Sequence, residues 1–118
     1  MTVSHVTAHV LDTTAGRPAA GVEIRLDRAD GDGRDDHGWT AVARSVTDDD
    51  GRVSDLGPAH LAAGTYRLTF ETGAYFAATG VETFFPYAAV VFVVDATGRH
   101  YHVPLLVSPF ALSSYRGS

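Results

Sequence analysis

HYHVPLLVSPFALSSYRGS, His100 to Ser118, is the stretch whose reading decides the fold. Its first half alternates. Tyr101, Val103, Leu105 and Val107 fall on one face of an extended chain, and His102, Pro104 and Leu106 fall on the other. Ser108-Pro109 interrupts the run, and a second short extended segment follows. The far face is the unusual one. A sheet strand with one solvated side carries Thr, Lys or Glu there, whereas this strand presents His, Pro and Leu. That face and the closing Tyr115-Arg116-Gly117-Ser118 are therefore expected to belong to a site.

Working back along the chain, Ala88 to Asp95 reads as a strand apolar on both faces, turned into the last strand by Ala96-Thr97-Gly98. Phe84-Phe85-Pro86 reads as an aromatic plug followed by a break. Ala74 to Thr79 is alanine-rich without alternation and is the one expected helix. Thr65 to Glu71 puts Tyr66, Leu68 and Phe70 on a core face. Asp48-Asp49-Asp50-Gly51-Arg52 is a turn leading into a short edge strand, Arg52 to Asp55. Before it, Trp39 to Thr47 sets Trp39, Ala41, Ala43 and Ser45 against Thr40, Val42, Arg44 and Val46. Gly21 to Asp27 is a strand with Val22, Ile24 and Leu26 inward. Val3 to Leu11 alternates too, with Val6, Ala8 and Val10 inward and His5, Thr7, His9 and Leu11 outward. Asp12 to Pro18 is a loop. Asp30 to Gly38 is a solvated hairpin loop; its Asp-Gly pairs suggest calcium, but the twelfth position from Asp30 is Ala41 and the EF-hand pattern fails. About eight short strands with regular turns and one short helix predict an all-β antiparallel sandwich in one domain, residues 1–118.

Composition sets the outer bounds. A chain of 118 residues, 45% hydrophobic and 19% charged, buries a core without covalent staples. The net charge of −5 argues against nucleic acid and against an anionic membrane surface. With no cysteine there is neither a disulfide framework nor thiol chemistry. The amino-terminal stretch alternates instead of forming an apolar signal segment, and no run is long enough to span a bilayer, so the cytoplasm is the expected compartment.

The candidate chemistry follows from the faces. His9 and His102 each lie on a non-core strand face beside apolar neighbours, Leu11 for one and Pro104 and Leu106 for the other. Such a face is normally covered, and a second copy of the chain is the economical cover. A histidine in such a crevice, held neutral, suits a general base near pH 7. Arg52 by spacing alone reads as a surface arginine. Zinc is the rival use of the histidines, since His100 and His102 share a face and so do His5 and His9. No local pattern fixes a third or fourth ligand, and no metal or other cofactor is expected.

AHVLDTTAGRPA (Ala8 to Ala19), TDDDGR (Thr47 to Arg52), TGAYF (Thr72 to Phe76), FFP (Phe84 to Pro86), HYHVPLLVSP (His100 to Pro109) and the final YRGS together resemble the 5-hydroxyisourate hydrolases, the transthyretin-related proteins of purine degradation. The hormone carrier transthyretin shares the fold but lacks these His and Arg residues and the YRGS ending. The resemblance implies a transthyretin-like sandwich of two four-stranded sheets, assembled as a homotetramer (a dimer of dimers). It also implies hydrolysis of 5-hydroxyisourate in a channel between subunits. Carried over, the catalytic groups are His9, Arg52 and His102; Tyr115, Gly117 and Ser118, with His9 and Arg52, bind substrate. The run Phe110 to Ser114 departs from the family's Tyr/Ser/Thr-rich segment, and Leu112 by alternation joins the core side. Two other readings are a non-catalytic carrier of a small planar ligand in the same channel and a monomeric interaction module.

Overall fold

The computed structural model describes residues 3–34 and 38–118. Among these residues nine strands and one helix follow in the order β1 (Val6–Asp12), β2 (Arg17–Pro18), β3 (Glu23–Ala29), β4 (Trp39–Val46), β5 (Arg52–Val53), β6 (Gly64–Phe70), α1 (Thr72–Ala78), β7 (Ala88–Val94), β8 (Tyr101–Val107) and β9 (Leu112–Ser114). One sheet runs β4-β3-β6-β7. The other runs β2-β1-β8-β9, with β5 also paired to β1. The inward residues of both sheets meet in one core that includes Val6, Val10, Ile24, Leu26, Leu68, Phe70, Tyr101 and Leu105. The two-layer sandwich and its helix are those expected, and the helix begins two residues earlier than the alanine pattern implied.

Sheet detail adds to that expectation. The two-residue β2 extends one sheet beyond four principal strands, and it arises where the Asp12–Pro18 loop folds back on β1. β1 and β8 run parallel, joining the beginning of the chain to its end, while every other strand pair in the two sheets is antiparallel. In β4 the alternation breaks at a bulge. Leu26 faces Ala43 but Asp27 faces Ala41, so Val42 is the extra residue. Ala43 and Ser45 therefore share the core face with Leu26 and Ile24, whereas Trp39 and Ala41 point outward, where the Arg67 guanidinium covers the Trp39 ring at 4.2 Å.

Three other expectations are corrected. Phe84 plugs nothing: it is 73% exposed and rests edge-on against Phe85. Leu112 does pair with Val107 on the core side, yet it is 39% exposed because β9 is the outermost strand. Pro104 is buried by the chain's own end, because Gly117 packs against its ring. The part of the Asp30–Gly38 loop formed by Asp35, Asp36 and His37 lies outside the described residues. No helix among the described residues is long and apolar enough to cross a membrane.

The helix, which connects β6 to β7, is tied to the end of β1. Phe76 enters the core, and the Tyr75 hydroxyl donates to Asp12 Oδ2 at 2.8 Å while Asp12 Oδ1 accepts from the backbone of Thr14 and Ala15. Burial and then the Asp12 bond push the Tyr75 phenol up to about 12.

Candidate functional site

The site forms where β5, β1 and β8 lie side by side. Register sets His9 opposite Arg52 across the β1–β5 pair and Thr7 opposite His102 across the β1–β8 pair. Opposed residues share a face of the sheet, so His9 and Arg52 project together. Arg52 depends on the turn before it. Asp48 Oδ1 accepts from the backbone N–H groups of Asp50 and Arg52, and the Gly51 N–H donates to the Asp48 carbonyl. Gly51 adopts φ +74°, and a Cβ there would sit 2.4 Å from the Val10 carbonyl oxygen. Only glycine lets the turn press so closely on β1, and that approach delivers Arg52 to its register. Arg52 makes no ion pair among the described residues.

Thr7, Arg52, Ser54, His100, His102 and Ser118 are among the residues lining a cavity of about 240 Å³. His9 stands beside this cavity, its ring centroid 6.5 Å from that of His102. Its Nε2–H donates to the Asp50 carbonyl at 2.9 Å, since a carbonyl only accepts, and Nδ1 carries the free lone pair. His102 has the opposite arrangement. Its Nδ1 is engaged by the Thr7 hydroxyl at 2.8 Å, leaving Nε2 free. The same hydroxyl meets His100 Nε2 at 2.9 Å. Burial first, then the Arg52 guanidinium and the nearby His9 and His100 rings, hold the His102 imidazole below the ordinary histidine value of 6.5. The ring is thus kept neutral at pH 7, as a proton acceptor must be.

The chain's end completes the wall. The Gly117 N–H donates to the His102 carbonyl at 2.8 Å, forming a single antiparallel bridge. A Cβ on Gly117 would lie 2.7 Å from His102 Cδ2, so the glycine permits close approach to the histidine itself. This crossing separates the terminal residues. Ser118 lies in the Arg52 cavity, whereas Tyr115, 59% exposed, lines a second groove of about 280 Å³ with Val90, Phe92, Ser114 and Arg116. Of the expected site residues, the structure brings Arg52, His102 and Ser118 together, with His9 and Gly117 in direct support. Tyr115 is not placed with them, and His102 is the one residue common to both spaces.

Sequence reasoning did not single out Thr7, whose hydroxyl contacts both His100 and His102, and considered His100 only as a metal ligand. Face alternation had put Thr7 on the histidine face, and its polarity at a buried position was the available signal. His5 has another use. Its Nε2–H donates to the Arg99 carbonyl at 2.7 Å and its Nδ1 accepts from the Leu61 N–H at 2.8 Å, which spends both nitrogens on loop anchoring. Among the described residues no group of three or more His, Cys, Asp or Glu side chains is arranged to hold a metal ion.

Comparison with known proteins gives a consistent set. The HIUase/Transthyretin family pattern matches residues 6–117. A 5-hydroxyisourate hydrolase of Salmonella dublin is 45% identical over 114 residues, covering 96% of this chain and 80% of that protein. The solved 5-hydroxyisourate hydrolase of Klebsiella pneumoniae superposes with a TM-score of 0.82 at 41% identity, over 96% of this chain and 98% of that one. Sea bream transthyretin, solved in complex with thyroxine, superposes with a TM-score of 0.85 at 34% identity, over 95% and 93%. The backbone thus resembles both a solved 5-hydroxyisourate hydrolase and a thyroxine-bound transthyretin, and backbone likeness does not separate the two.

Proposed function

The chain belongs to the HIUase/Transthyretin family, and from that premise we propose that it hydrolyses 5-hydroxyisourate, opening a cyclic amide-type C–N bond to give 2-oxo-4-hydroxy-4-carboxy-5-ureidoimidazoline in urate breakdown in the cytoplasm. The observation that carries the reading is that a neutral imidazole, His102, and a guanidinium without an ion pair among the described residues, Arg52, line one cavity with His9 alongside. A carrier of a planar ligand has no need of that set.

Each group has a role that its surroundings permit. His102 Nε2 takes a proton from water as the water attacks the ring carbonyl, and later returns a proton to the leaving nitrogen. Arg52 meets the charge that develops on the carbonyl oxygen; one such fixed donor contributes about 10²–10³ in rate. His9 accepts a hydrogen bond from a substrate N–H at Nδ1 and so orients the ring. Ser118 closes the cavity wall, and Gly117 holds His102 against it. Tyr115 would bind substrate only if the channel of the assembled protein joins its groove to the cavity.

Assembly as a homotetramer with active channels between subunits is part of the proposal. β7 is the outer strand of its sheet, and its outward Val91 and Val93 are 53% and 66% exposed. An open, apolar edge of this kind favours pairing with another chain. Leu11 and Leu106 are half-buried beside the site and suit further cover.

The test is a rapid ultraviolet assay in which urate oxidase generates 5-hydroxyisourate in place. Addition of the protein is expected to accelerate decay of the intermediate, with and without chelator. His9→Ala, Arg52→Ala and His102→Ala should each cut turnover by about 10²-fold or more while gel filtration still finds the tetramer. Absence of acceleration from verified tetramer would favour the carrier reading, which the likeness to sea bream transthyretin supports.

A further inference from the structure

The Thr7 hydroxyl sits between two imidazoles, His102 Nδ1 at 2.8 Å and His100 Nε2 at 2.9 Å. It has one hydrogen to give and can accept from a second donor. Two arrangements satisfy all three groups. In one, His102 Nδ1–H donates to Thr7, Thr7 donates to His100 Nε2, and His102 Nε2 is bare toward the cavity. In the other, every hydrogen is reversed, and His102 presents Nε2–H. The first is a base and the second is an acid. Which form His102 adopts is therefore tied to the protonation of His100.

Surroundings make this coupling useful. Thr7 is buried and His102 is partly buried, but His100 is exposed to solvent. Facing His102 are His9 from β1, Arg52 from β5, His100 before β8, and Tyr115 and Arg116 from the segment after β9. Arg52, His9 and His100 all oppose a positive charge on the His102 ring. A base that must accept a proton yet is discouraged from becoming a cation needs an outlet.

We propose that His100, acting through the Thr7 hydroxyl, is a positioning residue that sets the tautomer of His102 and carries to solvent the charge His102 would otherwise hold. The inference rests on the hydrolytic reading of the site. In the attack step one water O–H breaks and a bond to His102 Nε2 forms. His102 Nδ1–H passes to Thr7, and the Thr7 proton passes to His100 Nε2. His100 sheds its Nδ1 proton to solvent, while the hydroxide adds to the carbonyl carbon. In the collapse step the C–N bond breaks and His102 Nε2–H goes to the leaving nitrogen. Thr7 returns a proton to His102 Nδ1, His100 returns one to Thr7, and His100 regains one from solvent. The protons balance over the cycle, His102 stays neutral throughout, and the new carboxylic acid ionises in solvent.

The experiment uses the full chain and its His100→Ala, Thr7→Val and Thr7→Ser variants, each checked for native circular dichroism. Nitrogen-15 NMR without substrate reads the tautomer of His102; turnover is read across pH and with added imidazole. Expected are a shifted His102 tautomer population and a loss of about 10-fold to 100-fold in kcat, with little change in KM, for His100→Ala and Thr7→Val. Free imidazole should restore activity to His100→Ala but not to Thr7→Val, and Thr7→Ser, which keeps the hydroxyl, should recover most of the loss. Unaltered tautomer, kcat and pH profile in both deletions would overturn the proposal, and so would a kcat loss that neither imidazole nor Thr7→Ser relieves. If the wild type itself does not hydrolyse 5-hydroxyisourate, the hydrolytic reading fails, and an unmoved His102 tautomer in both deletions would separately overturn the coupling.

Discussion

Replacing Gly117 with alanine places a methyl group 2.7 Å from His102 Cδ2, 3.2 Å from Pro104 Cγ and 3.3 Å from the His102 carbonyl oxygen. Ordinary carbon contacts lie at about 3.5–4.0 Å, so either the imidazole or the terminal segment moves by about 1 Å. If the ring turns, it gives up the 2.8 Å bond between Nδ1 and Thr7. If the segment lifts, it gives up the 2.8 Å bond from Gly117 N–H to the His102 carbonyl. Either loss costs about 1 kcal/mol of stability, which for a chain of this size lowers Tm by about 3–6 °C. The effect on chemistry is far larger, because a misplacement of about 1 Å at a reacting group costs roughly 10²-fold in rate. Gly117→Ala should therefore lose about 100-fold in kcat in the urate oxidase-coupled assay and remain folded at 25 °C. Full activity would refute the role given to this contact. A Tm drop beyond about 10 °C would refute it differently, by showing that Gly117 serves the fold and not the ring.

Two further expectations follow from the titratable groups. By NMR, wild-type His102 should titrate below 6.5, and Arg52→Gln should move it upward without abolishing the shift, because burial is the larger cause. On the proposed mechanism the neutral ring is the active form, so kcat/KM should decline as pH drops through the His102 midpoint, below 6.5; a midpoint at or above 6.5 would remove this account. Tyr75→Phe should leave turnover intact but cost about 1.5 kcal/mol, through loss of the bond to the Asp12 carboxylate. The difference between wild-type and variant ultraviolet titrations should isolate a phenol near 12.

Face alternation was a sound guide where a strand was long enough to show it. It placed His9 and His102 on the non-core faces of β1 and β8, and it identified the core faces of β3 and β6. It says nothing of strand direction, so the parallel β1–β8 pair was invisible. It failed in β4 because one extra residue, Val42, reverses the faces of everything beyond it. Arg52 had no period to read in a two-residue strand; its place is dictated by Asp48 and Gly51, and only the family resemblance pointed to it. The Pro104 face was read as an opening for a second copy, yet the chain's own Gly117 covers the proline. Thr7 illustrates a subtler limit. Its value comes from standing between two imidazoles whose positions are separated from it by 93 and 95 residues in sequence.

That separation bears on how the molecule comes into being. Closing a loop of this length costs entropy before any contact is returned, and pairings of such range are slow to form. β1 pairs with β8 along its whole length from Val6 to Asp12, and the cavity lies on that seam. Pairs such as β3–β4 and β6–β7 join strands much closer in sequence, but none of them contains a competent cavity. During refolding from denaturant, turnover should therefore reappear after secondary structure has recovered, in step with the slowest phase, which makes catalysis a reporter of the last long-range closure.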